Sequence, residues 1–135
     1  MNRFFLMLAL AWAATPQEIP AKRAAHVEIL RGPVIERADS YLTVIRWTSN
    51  NPGGTDKHYG VVHYGTDPKE LDLVARSPLR LNRSHPDTVF RVRMLSLKPG
   101  TTYYYRVDEE EAGGESDKLQ CTVKHFSIPS ASHSH

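Results

Sequence analysis

Leu97-Lys98-Pro99-Gly100-Thr101-Thr102-Tyr103-Tyr104-Tyr105-Arg106-Val107 is the stretch on which the fold turns. Pro-Gly marks a turn, and the residues after it alternate. Tyr103, Tyr105 and Val107 fall on one face, Tyr104 and Arg106 on the other. A leucine, a Pro-Gly turn and a tyrosine at the start of a strand describe a tyrosine corner, a device of antiparallel β-sandwiches. A buried phenol at Tyr103 needs a hydrogen-bond partner, and the backbone just upstream supplies one. Leu97, Tyr103 and Tyr105 are therefore expected in the core.

The same period of two extends in both directions. Strands are expected at His26–Leu30, Leu42–Trp47, Tyr59–Tyr64, Thr88–Met94, Thr102–Val107 and Leu119–Phe126, with a weaker one at Asp72–Arg76. Turn chemistry bounds them: Gly32-Pro33, Asn50 to Thr55, Gly65 to Pro68, His85-Pro86 and Ala112-Gly113-Gly114. No helical stripe runs through this region. Seven short strands predict an all-β, seven-stranded antiparallel sandwich of about 100 residues. Thr43, Ile45 and Trp47 share a face, with Trp47 at the centre of the core; Phe90, Val92 and Met94 point inward while Arg91 and Arg93 point to water.

Composition narrows the function. The chain has 135 residues, 24% charged and 40% hydrophobic, which excludes a disordered polymer, a collagen and a coiled coil. Its net charge of +2 argues for no nucleic-acid or membrane-surface partner. A two-domain enzyme does not fit this length.

Residues 1–14 read as a signal peptide, with Arg3 in the n-region, an apolar run from Phe4 to Ala11, and Ala11-Trp12-Ala13 as a cleavage site. The run is too short to span a bilayer, so no membrane span is expected after cleavage. The product is expected to be secreted, periplasmic or extracellular. Residues 15–24 form a linker, 25–128 the domain and 129–135 a Ser/Ala/His tail expected to be flexible. The single Cys121 alternates with Leu119 and Val123 and reads as a small buried hydrophobe, the alternative being a reactive or intermolecular thiol.

The 97–107 segment and Leu42-Thr43-Val44-Ile45-Arg46-Trp47 resemble the fibronectin type III pattern. Gly32-Pro33, Trp47-Thr48-Ser49-Asn50, Val62-His63-Tyr64-Gly65-Thr66-Asp67-Pro68, Leu97 to Val107 and Val123-Lys124-His125-Phe126 narrow this. Together they are similar to the N-terminal domain of purple acid phosphatases over about residues 26 to 128. Phe90 departs from that pattern, where a histidine is frequent. The resemblance implies a fibronectin type III or immunoglobulin-like sandwich serving as an accessory domain. Hydrolysis would belong to a following metallophosphatase domain with two adjacent metal ions. The ligand motifs of that domain, Asp-x-Gly, Gly-Asp-x-x-Tyr, Gly-Asn-His and Gly-His-x-His, do not occur in the chain; His133-Ser134-His135 has Ser132 where the last requires glycine.

The expectation is an exported, non-catalytic accessory or binding module, with no catalytic or metal-ligating residues and no cofactor. A dinuclear metal enters only if a catalytic domain exists elsewhere. The alternative is the detached accessory part of a purple acid phosphatase. The partner would be a protein, a glycan or a separate phosphatase domain. Among candidate sites, Arg46, Arg91 and Arg93 form a candidate anion surface, or a charged sheet face neutralised by Glu28 or Glu36. Asp108-Glu109-Glu110-Glu111, with Glu115 and Asp117, reads as a solvated hairpin tip, or as a weak Ca²⁺ loop. Tyr59, Tyr64 and Tyr104 are a candidate aromatic platform, and Asn82-Arg83-Ser84 is a glycosylation sequon. His58 and His63 lie on opposite strand faces, so the histidines show no convergence on a metal.

Overall fold

A computed structural model describes residues 24–51, 58–77, 80–81 (backbone) and 85–130. The expected signal peptide, most of the linker, the sequon and the tail histidines lie outside the described residues. Eight strands are formed among those described: β1 (Ile29–Ala38), β2 (Leu42–Ser49), β3 (His58–Gly65), β4 (Leu73–Ser77), β5 (Arg80–Leu81), β6 (Thr88–Leu95), β7 (Thr102–Glu111) and β8 (Lys124–Ser127). They make two four-stranded sheets of order β1-β2-β6-β5 and β4-β3-β7-β8. Every pairing is antiparallel, and the described residues contain no helix.

The alternating residues meet between the sheets. Ile45 and Trp47 on β2 pair with Val92 and Phe90 on β6, and these face Val62, Tyr103, Tyr105, Val107 and Phe126 of the other sheet. Trp47 stacks on Phe90 with ring centroids 5.5 Å apart. Room for the indole comes from Gly60 on β3, where a Cβ would lie 3.0 Å from Trp47 Cη2 and 3.1 Å from Val92 Cγ2. The tyrosine corner forms as expected: the Lys98 backbone N–H donates to the Tyr103 hydroxyl at 3.0 Å. Gly100 turns the chain at a φ of 65° and ties it to the C-terminal segment through its N–H and Ile128 O, 2.9 Å apart.

Four differences from the sequence reading go beyond a residue or two at a strand end. The first strand does not stop at Gly32-Pro33 but runs through it as β1. Gly32 adopts a φ of 87° ahead of a cis Pro33, and pairing with β2 resumes after shifts between Ile29, Arg31 and Val34. The glycine thus acts as a bulge in an edge strand, where a proline without an N–H is tolerated. A second difference is β5, two residues long and too short to carry periodicity. The third is β7, which continues four residues past Val107. The last concerns the segment expected as Leu119–Phe126, of which only Lys124–Phe126 is strand, in β8. Upstream, the Leu119 N–H bonds the Asp108 carboxylate at 3.1 Å rather than a neighbouring strand. Leu119 is buried and Cys121 packs partly against the core, while Val123 turns outward.

Candidate functional site

The polar end of the sandwich is built by continuing the core alternation. After Tyr103, Tyr105 and Val107, the next inward position on β7 is Glu109, a carboxylate with 0% exposure. On β2 the inward series Ile45, Trp47 ends at Ser49, followed by the buried Asn51. The Trp47 indole N–H donates to Glu109 Oε2 at 3.0 Å. The Asn51 amide donates to Glu109 Oε1 at 3.3 Å and to Asp117 Oδ2 at 3.1 Å. Asn51 Oδ1 in turn accepts from the Ala24 N–H at 3.0 Å. One asparagine therefore links the segment before β1, the end of β2, strand β7 and the chain following it.

Burial dominates the electrostatics of Glu109 and pushes its pKa up to about 7. The bonds from Trp47, Ser49 and Asn51 pull it back, and Asp108 adds to the rise. Asp108 is itself covered, accepting from Ser116 and the Leu119 backbone. His58, also buried, sets Nε2 3.2 Å from Glu111 Oε1 across the β3–β7 pair, without the alignment of a hydrogen bond. The expected solvated acidic tip is thus corrected: Glu109 and Asp108 lie inside β7, and Asp117 is buried beside them. The exposed tip is confined to Ala112 to Glu115.

This cluster does not fit a metal. The oxygens of Glu109 already accept from indole and amide donors, and no group of three or more His, Cys, Asp or Glu among the described residues is placed to hold an ion. The two-metal chemistry of phosphate-ester hydrolysis finds no ligand set there.

Arg46 and Arg91 stand directly opposite each other on the outer face of the β1-β2-β6-β5 sheet. Two like charges in that register repel, and Glu36 of β1 sits between them. Its carboxylate is 2.7 Å from Arg91 Nε and 3.7 Å from Arg46 Nη1. Arg93 lies on the same face with no ion pair among the described residues. The structure therefore brings the three candidate arginines together but commits Arg91 to Glu36. It also adds Arg31, which sequence reasoning missed because the bulge at Gly32 hides its register. Arg31, Val34, Arg46, Thr48 and Val89 line a groove of about 330 Å³ beside that bulge.

The aromatic platform does not assemble. Tyr64 faces inward, its ring 6.1 Å from Tyr103. Tyr104 lies against His125 on the outer face, and Tyr59 carries the Arg76 guanidinium 4.6 Å above its ring. Trp47, Tyr103, Tyr105 and Leu97 all occupy the core; burial pushes the Tyr105 phenol up to about 12.

Residues 38–123 match the family model described as "Purple acid Phosphatase, N-terminal domain". No curated protein matches the chain. Among solved structures, one of Astrotactin-2, described as a conserved vertebrate-specific and perforin-like membrane protein involved in neuronal development, has a TM-score of 0.44 at 15% identity. The match covers 69% of this chain and 20% of that one, so the chain spans about a fifth of its length.

Proposed function

The chain belongs to the purple acid phosphatase N-terminal domain family, and from that premise we propose that it is an exported, non-catalytic accessory module that works by binding. The observation carrying this reading is the fate of its buried polar groups. Glu109, Asn51 and Asp117 spend their hydrogen bonds on Trp47, on Ala24 and on one another. For the Glu109 and Asn51 side chains that is the pattern of a structural network, in which donors and acceptors satisfy each other.

The family match favours a metallophosphatase domain as the partner, covalently attached or separate. Apolar side chains left on the surface support docking: Tyr41 is 84% exposed and Leu95 65%. Leu95 lies opposite Leu42, the neighbour of Tyr41. The signal-like residues 1–14 support export. Size-exclusion chromatography of the purified chain, mixed with a separately produced metallophosphatase domain of the family, tests the partner. Co-elution at tens of micromolar is expected. Separate elution would refute docking. Edman sequencing of the product recovered outside the cytoplasm should begin just after the Ala13–Ala14 region; a start at Met1 would refute cleavage.

A further inference from the structure

Among the described residues, the outer face of the β1-β2-β6-β5 sheet carries more arginines than carboxylates paired with them, beside a cleft. Arg31, Arg37, Arg46, Arg91 and Arg93 lie along β1, β2 and β6, while the carboxylates paired with them are Glu36 and Asp39. Asp39 is taken by Arg37 at 2.7 Å and by the backbone N–H groups of Tyr41 and Leu42. Glu36 is held by Arg91. Arg31 has no ion pair among the described residues, and Arg46 has only the long 3.7 Å approach to Glu36. These two under-neutralised guanidinium groups belong to the residues that line the groove of about 330 Å³.

The groove is fixed by the backbone. A side chain at Gly32 would meet Arg46 O at 2.9 Å and the Trp47 Cα at 3.2 Å, so the bulge seats β1 directly on β2. Arg31 and Val34 then flank the bulge, with Arg46, Trp47, Thr48 and Val89 as the remaining wall. Two cations, a hydroxyl and two valines describe a mixed site: planar forks for an oxyanion and apolar surface for the group it is attached to. The volume is at the low end for organic ligands, which suits a small molecule and not the repeat of a polymer.

We propose that this groove binds a small organic anion with a tetrahedral oxyanion head, phosphate or sulfate, held between Arg31 and Arg46, and an apolar body resting on Val34 and Val89. The site is a binding site only and is independent of any metallophosphatase partner. Thr48 supplies a hydroxyl donor to the head.

Two-dimensional ¹H–¹⁵N NMR of the full chain tests this, with phenyl phosphate, phenyl sulfate, inorganic phosphate and phenol as probes at fixed ionic strength. Saturable shifts of the Gly32, Thr48 and Val89 amides in the low-millimolar range are expected for at least one phenyl ester. Phenol and inorganic phosphate should each bind more weakly than that ester. Whichever ester binds identifies the head group. Arg31→Ala and Arg46→Ala should each weaken binding about tenfold, and Arg93→Ala, on the same face but away from the groove, should leave it within twofold. The absence of saturable shifts with both esters would overturn the proposal. So would an equal loss in Arg93→Ala, or inorganic phosphate binding as tightly as the better ester. Unchanged amide dispersion in each variant shows that the fold is retained.

Discussion

Replacing Glu109 by glutamine should change how stability depends on pH more than it changes stability itself. The folded state holds the Glu109 proton up to about pH 7, against 4.5 for the ordinary carboxyl group. A carboxyl whose pKa is raised on folding contributes stability that is complete below its unfolded value and is lost as pH climbs through the folded one. A gap of this size corresponds to about 3 kcal/mol between pH 4 and pH 8. Glutamine fills the same space, carries no charge at any pH and keeps one acceptor for the Trp47 indole. Its NH2 faces the Asn51 amide, however, which loses its 3.3 Å acceptor at a pH-independent cost of about 1 kcal/mol. At pH 4 Glu109→Gln should therefore unfold at a slightly lower urea concentration than the wild type. Between pH 4 and pH 8 the wild type should lose about 3 kcal/mol relative to Glu109→Gln, or about 2 M urea at an m-value of about 1.5 kcal/mol/M. The difference between profiles isolates this group, because the other carboxylates are common to both chains. Asp39, whose pKa the backbone N–H of Leu42 and the Arg37 side chain hold down, titrates in both. Urea melts followed by tryptophan fluorescence at five or six pH values would suffice. Parallel profiles from pH 4 to 8 would refute the reasoning, because the carboxyl would then be solvated in the folded protein.

Three further substitutions probe the core. Trp47→Ala removes the indole stacked on Phe90 and leaves Glu109 without its 3.0 Å donor; a loss of ~3–5 kcal/mol against a total of ~5–15 should prevent recovery of a folded domain, and a cooperative melt near that of the parent would disprove the placement. Tyr103→Phe strips the acceptor from the Lys98 N–H, so the urea midpoint should drop by the equivalent of ~0.5–1.5 kcal/mol; an unchanged midpoint would count against the corner. Gly60→Ala inserts a methyl against Trp47 and Val92 and should cost ~1–3 kcal/mol by thermal denaturation, whereas a neutral or stabilising effect would show that the sheets are further apart than described.

The core was legible in the sequence because the inward-facing residues keep period two along β2, β6 and the first half of β7. Trp47, Phe90, Val92, Tyr103 and Tyr105 needed only parity to be placed inside. Parity also contained Glu109, two residues beyond Val107, but a run of four acidic residues before two glycines reads as solvated turn, and charge outweighed register. The missing cue was chemical: a buried indole N–H on β2 requires an acceptor, and Glu109 provides it. Sequence offers two glutamates as partners of the outer-face arginines, and only the β1–β2 register set by the bulge at Gly32 selects Glu36 for Arg91. The same bulge concealed Arg31. Cross-strand neighbours depend on where an extra residue is inserted, and composition carries no trace of that.

The buried acids, amide and imidazole at the end of this sandwich resemble a reaction centre in composition, but Glu109, Asn51 and Asp117 are bonded to one another and to Trp47 as a structural joint. The most direct test is release of p-nitrophenol from p-nitrophenyl phosphate by the purified chain, supplied in turn with iron, zinc and manganese. No release above the buffer rate is expected with any metal, for the wild type or for Glu109→Gln. Release by the wild type that a chelator abolishes and that Glu109→Gln lacks would contradict the account.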